Sequence, residues 1–225
     1  MPLGVIPQRD RRPRLFVDYA FSKVNAETVR LAPPDEAMQF GRTLQHVLTT
    51  SIAHANPRYG PPKLAKIDIA GGFYRVWLLS SDMPKFDVVL RCRGGVPLTA
   101  FLLALPMGWV ESPPNFTMLT VTACDLANQA MSQHGRLPAE HRLEATANTP
   151  PADYSPVLVP PMWTRDNTQF FSNRSAAPLA KADVHVDDFL LVAQTKRHQR
   201  RLLRATFHAI DEVFRPLVDG TDPAL

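Results

Sequence analysis

Cysteine is almost absent from this chain of 225 residues: there are two, Cys92 and Cys124, far apart and in no metal-like spacing. One disulfide between them is possible, but nothing here makes the disulfide framework of a small secreted fold. Long apolar runs are missing too. The most apolar stretch, 97–107, is too short to span a bilayer and carries Pro97 and Pro106 near its ends. The opening residues MPLGVIPQRDRRPR lack the apolar core of a signal peptide. The expectation is an intracellular protein, cytoplasmic or nuclear, with no membrane partner. No internal repeat is visible. No charge of one sign dominates: a net +4 and a pI near 9.3 suit a polyanionic partner without requiring one. What remains is 45% hydrophobic and 20% charged, enough for one sizeable core or two small lobes.

Residues 3–7 and 14–19 read as two short strands, with Arg9-Asp10-Arg11-Arg12 as their turn. The chain thus starts almost directly in a strand, as a piece of a longer protein would. A helix is expected over 35–53, with Asp35 and Glu36 in its first turn and apolar residues at helical spacing. After a loop at 54–62, residues 66–70 read as a strand in which Ile67 and Ile69 share a face and Asp68 points the other way. Further strands are expected at 88–91 and 100–105. Ser112 as N-cap with Pro113 at the first helical position marks a helix start, with Phe116, Leu119, Ala123, Leu126 and Ala130 as its apolar stripe. Seven prolines fall in 135–180 and periodicity disappears there, which predicts an insertion or mobile loop. Residues 182–193, ADVHVDDFLLVA, predict a hairpin with two acids at its turn. Thr195 can cap a final helix with Leu203, Phe207, Ile210 and Phe214 inward. Its first turns are basic, against the helix dipole, so something else should use those charges.

Asp187-Asp188 is the sharpest feature. Adjacent side chains alternate on a flat strand, but a tight turn brings both acids to one place. Close carboxylates repel unless a cation is present, and a hard divalent ion with oxygen ligands meets that need. Two acids at an exposed turn are the plain alternative. Asp68, between apolar residues and before Gly71-Gly72, completes a possible trio if its strand neighbours theirs. Two metals about 4 Å apart could then clamp the attacking and leaving oxygens of a phosphoryl transfer.

Asp68-Ile69-Ala70-Gly71-Gly72-Phe73, Leu105–Pro113 and Val184-His185-Val186-Asp187-Asp188-Phe189 occur in this order. They resemble the three palm motifs of reverse transcriptases from retroviruses and LTR retrotransposons. Val5–Arg9, with Arg14–Tyr19 and Asn25, is similar to that family's first fingers motifs. The resemblance runs from about residue 4 to 214, apart from 135–180, and ends before a primer grip or thumb. It implies an α+β fold: an antiparallel palm sheet backed by helices, with a small fingers lobe. Its divisions would be fingers and connecting helix at 1–65, palm with part of the fingers at 66–134, a flexible insertion at 135–180, palm again at 181–216, and a disordered tail at 217–225.

The resemblance also implies roles. Asp68 and Asp187 would bind two Mg²⁺ ions (Mn²⁺ is possible), with Asp188 in support and the Ile69 carbonyl as a further ligand. Arg14 and Arg9 would meet the triphosphate of a deoxynucleotide, with Gly72 and Met107 beside it. Phe73 would lie under its sugar and exclude a 2′-hydroxyl. Gly108, Trp109, Ser112, Pro113 and His185 would face an RNA or DNA template and its primer; Trp109 could equally fill the core. His185, Met107 and Gly71 depart from the family's usual Tyr, polar residue and acid. The implied activity is RNA-directed DNA polymerisation. A remnant that only binds nucleic acid or a partner, a metal-dependent nuclease, and basic clusters acting as nuclear signals are the competing readings. The three carboxylates decide first: Asp68 and Asp187 should approach to roughly 3–6 Å if they share a metal.

Overall fold

The computed structural model describes residues 3–7, 13–29, 46–53, 55–90, 95–133, 139–147 and 176–214, with backbone alone at 14, 15 and 48–50. Two compact units interleave along the chain. Unit 1 comprises Met1–Gln39 and Ile69–Leu119, and unit 2 comprises Phe40–Asp68 and Thr120–Leu225. The described sheets are all antiparallel, so the chain is a mixture of helices and antiparallel strands. No helix among the described residues is long and apolar enough to cross a membrane.

In unit 1, β1 (Leu3–Ile6) pairs with β2 (Arg14–Val17), as the alternation of the opening segment predicts. The short α1 (Val24–Glu27) follows. Then β4 (Val88–Leu90) pairs with β5 (Leu98–Ala100). The strand expected at 100–105 is therefore earlier and shorter. Beyond Ala100 only an isolated bridge, Trp77 to Ala104, continues the pairing. Val17, Tyr19, Phe86 and Val88 form the core, with Trp109 packed against it. Trp109 meets the Phe86 ring edge-on at 4.9 Å and donates its indole N–H to Thr28 Oγ1.

Gly108 (φ 102°) holds the turn before Trp109 in a conformation that favours glycine. A Cβ there would lie 2.6 Å from the Val17 carbonyl oxygen. Asn25 secures the same turn from the other side, donating to the Gly108 carbonyl and accepting from the Val110 N–H.

The helix predicted to start at Ser112 is α2 (Ser112–Ser132). Its cap differs from expectation. Asn115 N–H donates to the Glu111 carbonyl, so Glu111 takes the cap position and Ser112 lies within the first turn. The Ser112 hydroxyl instead donates to the Pro106 carbonyl at 2.6 Å and ties the preceding loop down. The fully packed stripe runs through Phe116, Thr120, Ala123, Cys124 and Ala127, while Leu119, Leu126 and Ala130 are half-buried. Cys124 is a free thiol, its pKa pushed up to about 12 chiefly by burial; Cys92 lies outside the described residues.

Unit 2 is built on three strands in the order β3-β7-β6: β3 (Lys63–Asp68), β6 (Ala180–His185) and β7 (Asp188–Ala193). The apolar run DFLLVA takes the centre, and lysines mark both edges, as sheet edges favour. Alternation divides the faces. Phe189, Leu191, Ala193, Ala182 and Val184 are buried on one. Behind β6 and β7 lies the final helix, α4 (Lys196–Phe214). Thr195 caps it by accepting the His198 N–H, and Leu203, Phe207, Ile210 and Phe214 are buried, as predicted. Asn128 completes the outer edge of β6, its side-chain amide exchanging two hydrogen bonds of 2.9 Å with the Ala182 backbone. An edge strand must find such partners.

Of the expected helix at 35–53, only its end is described, as a π-helical turn, Val47–Ile52. Within the window 135–180, residues 139–147 are ordered enough to end in a turn of helix, α3 (Glu144–Ala147). The remainder of that window up to 175, the basic turn at 8–12 and the tail at 215–225 lie outside the described residues.

Candidate metal centre

Register alone brings two of the predicted acids together. Asp68, the last residue of β3, stands directly opposite Asp188, the first of β7. His185 flanks Asp188 on the other side. The strands β6 and β7 are joined by a two-residue turn, Val186-Asp187, so Asp187 is at the turn and Asp188 within the strand. Val186 has φ 60°, an uncommon conformation for a β-branched residue. Such strain costs about 1–3 kcal/mol and persists only where surrounding structure imposes it. Here a six-residue ladder on each side of β7 does so.

The result is a cluster in which Asp68, Asp187 and Asp188 each offer a carboxylate oxygen, all within 4.8 Å of one another. Asp68 is exposed and the other two are half-buried. Like charges directly across a strand pair destabilise a sheet, so the arrangement asks for a cation. One is built in. Lys66, two residues before Asp68 and hence on its face, places Nζ 2.8 Å from Asp188 Oδ1. That hydrogen bond holds the ammonium above its ordinary pKa, with the charges of Asp188, Asp68 and Asp187 adding to it. Asp187 is shifted upward, first by burial and then by the charges of Asp188 and Asp68, although its own backbone and Lys66 oppose the shift. One lysine therefore leaves the trio short of positive charge. The donor set is oxygen only, which fits a hard divalent ion such as Mg²⁺ or Mn²⁺.

The other predicted residues fall in unit 1 or outside description. Gly72 is buried, and a Cβ on it would come within 2.6 Å of the Phe116 ring. Phe73 is half-buried, edge-on to Phe116 at 5.0 Å. The Ile69 carbonyl accepts the Gly72 N–H at 3.1 Å. Met107, Trp109 and Pro113 are half-buried and Gly108 is exposed. Arg14 is placed only by its backbone, opposite Ile6, and Arg9 lies outside the described residues.

Sequence reasoning missed Lys66, although strand alternation from Asp68 points to it. It also missed a second polar cluster in unit 2. Buried Glu144 accepts from Arg204 Nε at 2.5 Å and Nη2 at 2.8 Å. His141 Nε2 lies 3.0 Å from Asp211 Oδ2, which also accepts from Arg142. The Leu143 N–H donates to His141 Nδ1, so Nε2 carries the proton toward Asp211. The Glu144 carboxylate closes the group by accepting the His141 N–H. The His141-x-x-Glu144 spacing was the available signal.

No family model matches the chain, and no curated protein matches it in sequence. Solved structures do. One is a foamy viral protease-reverse transcriptase in complex with double-stranded DNA, at a TM-score of 0.53 and 15% identity. The match covers 93% of this chain and 24% of that one, so the chain spans about a quarter of that protein's length. At this identity the likeness is one of backbone: the chain has a reverse-transcriptase-like fold.

Proposed function

We propose that the chain is a nucleotidyl-transfer domain of the RNA-directed DNA polymerase type, with Asp68, Asp187 and Asp188 as the holders of two Mg²⁺ ions. The observation that carries this reading is the meeting of the three carboxylates, drawn from positions 68 and 187–188, within 4.8 Å at one end of a sheet. In this reading 1–65 are the fingers and connecting helix, and 66–134, with part of the fingers, and 181–216 are the palm. The bound ions would lower the pKa of a primer 3′-hydroxyl and stabilise charge on the phosphate as pyrophosphate leaves. The chain's own work is to hold the acids. The β3-β7 register sets Asp68 against Asp188, and the strained turn turns Asp187 toward both. Lys66 holds the Asp188 carboxylate in place before an ion arrives.

Phe73, braced by Phe116, would meet the sugar of the incoming deoxynucleotide, with Gly72 and Met107 beside it and Arg14 and Arg9 on its phosphates. The Ile69 carbonyl keeps a lone pair for a metal while accepting from Gly72. Gly108, Pro113 and His185 would face template and primer. Ser112 and Trp109 would act from behind, since one is committed to Pro106 and the other packs in the unit 1 core. A second reading, a nucleic-acid binder without turnover, draws on Lys66, which already places a cation on Asp188. Primer extension on an RNA template with Mg²⁺ or Mn²⁺ separates the two. Extension by the wild type that is lost in Asp187→Asn supports polymerisation; no extension, or equal extension by both, sinks it.

A further inference from the structure

Apart from Arg204, the basic run at the start of α4 has no carboxylate partner among the described residues. Lys196, Arg197, Arg200, Arg201 and Arg204 lie within an arc of about 140° at 3.6 residues per turn. Buried Leu202, Ala209 and Ile210 face the other way. The five cations line a concavity of about 370 Å³. Arg204 is paired with Glu144. Among the described residues, no carboxylate comes within salt-bridge reach of the other four. The helix is charged against its own dipole at both ends, cations at the start and Asp211 and Glu212 near the finish. His141 and Arg142 account for Asp211. Among the described residues no carboxylate accounts for the other four cations.

We propose that this stripe is a second nucleic-acid contact, a cradle for the phosphodiester backbone distinct from the carboxylate centre. It takes its partner class from the polymerase reading but not its chemistry. The stripe begins beyond Ala193, the end of β7 remote from Asp188; five residue steps along the strand, about 17 Å, separate those two. Its footprint selects a polymer. Eight residues of helix rise about 12 Å. Over that length one strand of duplex presents three to four phosphates, roughly one per 3.4 Å. The four cations without a carboxylate partner among the described residues match that count, whereas a single phosphate would leave most of them unneutralised. Guanidinium forks suit phosphate oxygens in particular.

The test is the salt dependence of binding to a fluorescein-labelled 24-base-pair duplex, read by anisotropy in EDTA so that no divalent ion engages the carboxylates. The full chain is compared with R197Q/R200Q/R201Q and with R197K/R200K/R201K. Loss of three phosphate contacts should reduce the slope of log K against log salt by about 2.7, at 0.9 per contact. Affinity at low salt should fall at least tenfold, and the lysine variant should keep most of the slope. Equal slopes in all three proteins would overturn the proposal. So would displacement of the duplex by poly-glutamate as readily as by unlabelled duplex, which would point to an acidic protein partner. The lysine variant guards against misfolding as the cause. Duplex binding in EDTA does not depend on turnover, so the salt slope can follow the stripe even if primer extension never occurs, and the two readings fail separately.

Discussion

Asp68, Asp187 and Asp188 meet with Lys66 as the one cation beside them among the described residues, whereas Glu144 and Asp211 meet Arg204, Arg142 and His141. Both groups belong to unit 2. The second is balanced in charge: each acid has a donor, Glu144 is almost wholly buried, and only Asp211 Oδ1 is left without a hydrogen-bond partner. The first is half-exposed and left with excess negative charge. Internal balance is what a structural cluster needs, since an unpaired buried charge is costly. Imbalance held in place by a strand register and a strained turn is what a cation site needs.

The shifts point in opposite directions as well. Arg204 holds the Glu144 carboxyl below its ordinary range, and hydrogen bonds from His141 and Arg142 bring Asp211 down despite its burial. Asp187 is shifted up, with burial the largest cause.

The largest test of this contrast is Asp187→Asn. If several kcal/mol of charge stabilisation depend on that carboxylate, primer extension should fall about 10³-fold at 1.36 kcal/mol per tenfold. The thermal midpoint without metal should stay level or rise, because a repelling charge is removed. A clear fall in midpoint would mark the trio as structural and erase the contrast.

Next is Glu144→Gln, which should do the reverse. It should cost about 2 kcal/mol, below the range for a fully buried pair because Arg204 is partly exposed. That is a midpoint drop of about 4–8 °C for a chain of this size. Mn²⁺ binding should be unchanged. The sign with pH follows from the lowered pKa: the stabilisation is present above the unfolded value, near 4.5, and is lost as pH falls through the lower folded value. Thermal melts between pH 7 and 3 should therefore be flatter for the glutamine variant.

Smaller still is Lys66→Gln. Removing the resident cation should tighten Mn²⁺ binding about threefold, in keeping with an exposed ion pair. Weaker binding in an Mn²⁺ titration would mean that Lys66 supports the metal rather than competes with it.

The smallest effect is on proton competition. Because Asp187 is shifted upward from 3.8, Mn²⁺ affinity should already decline above pH 4 as pH is lowered. The folded state holds that proton more tightly than the unfolded chain. Its contribution to stability is therefore present below the unfolded pKa and lost as pH rises through the folded one, opposite to Glu144. A decline in affinity centred where an ordinary aspartate titrates, near 3.8, would show that Asp187 is not shifted.

Much of the site was legible because its cause is local. Alternation around Asp68, the apolar-acid-acid-apolar pattern at 184–191 and the cap at Thr195 all report backbone geometry within a few residues. Asn128 was not legible, since its role depends on where the edge of β6 comes to lie 54 residues away. Ser112 looked like a cap by type, yet the loop fold gave its hydroxyl to Pro106. Glu144 was hidden in a proline-rich window whose composition outweighed one short ordered turn.

By itself, the sequence determined the local pieces: which segments alternate, that two adjacent acids fall at a hairpin with Asp187 in its turn, and that the first turns of α4 are basic. Tertiary structure alone decided that β3 pairs with β7 in the register that sets Asp68 against Asp188, and that Lys66 reaches that pair. The reason is physical. Side-chain periodicity is written in neighbouring residues, but strand register is chosen by burial of both faces at once. A slip of one residue would have turned Asp68 and Lys66 to the other side of the sheet.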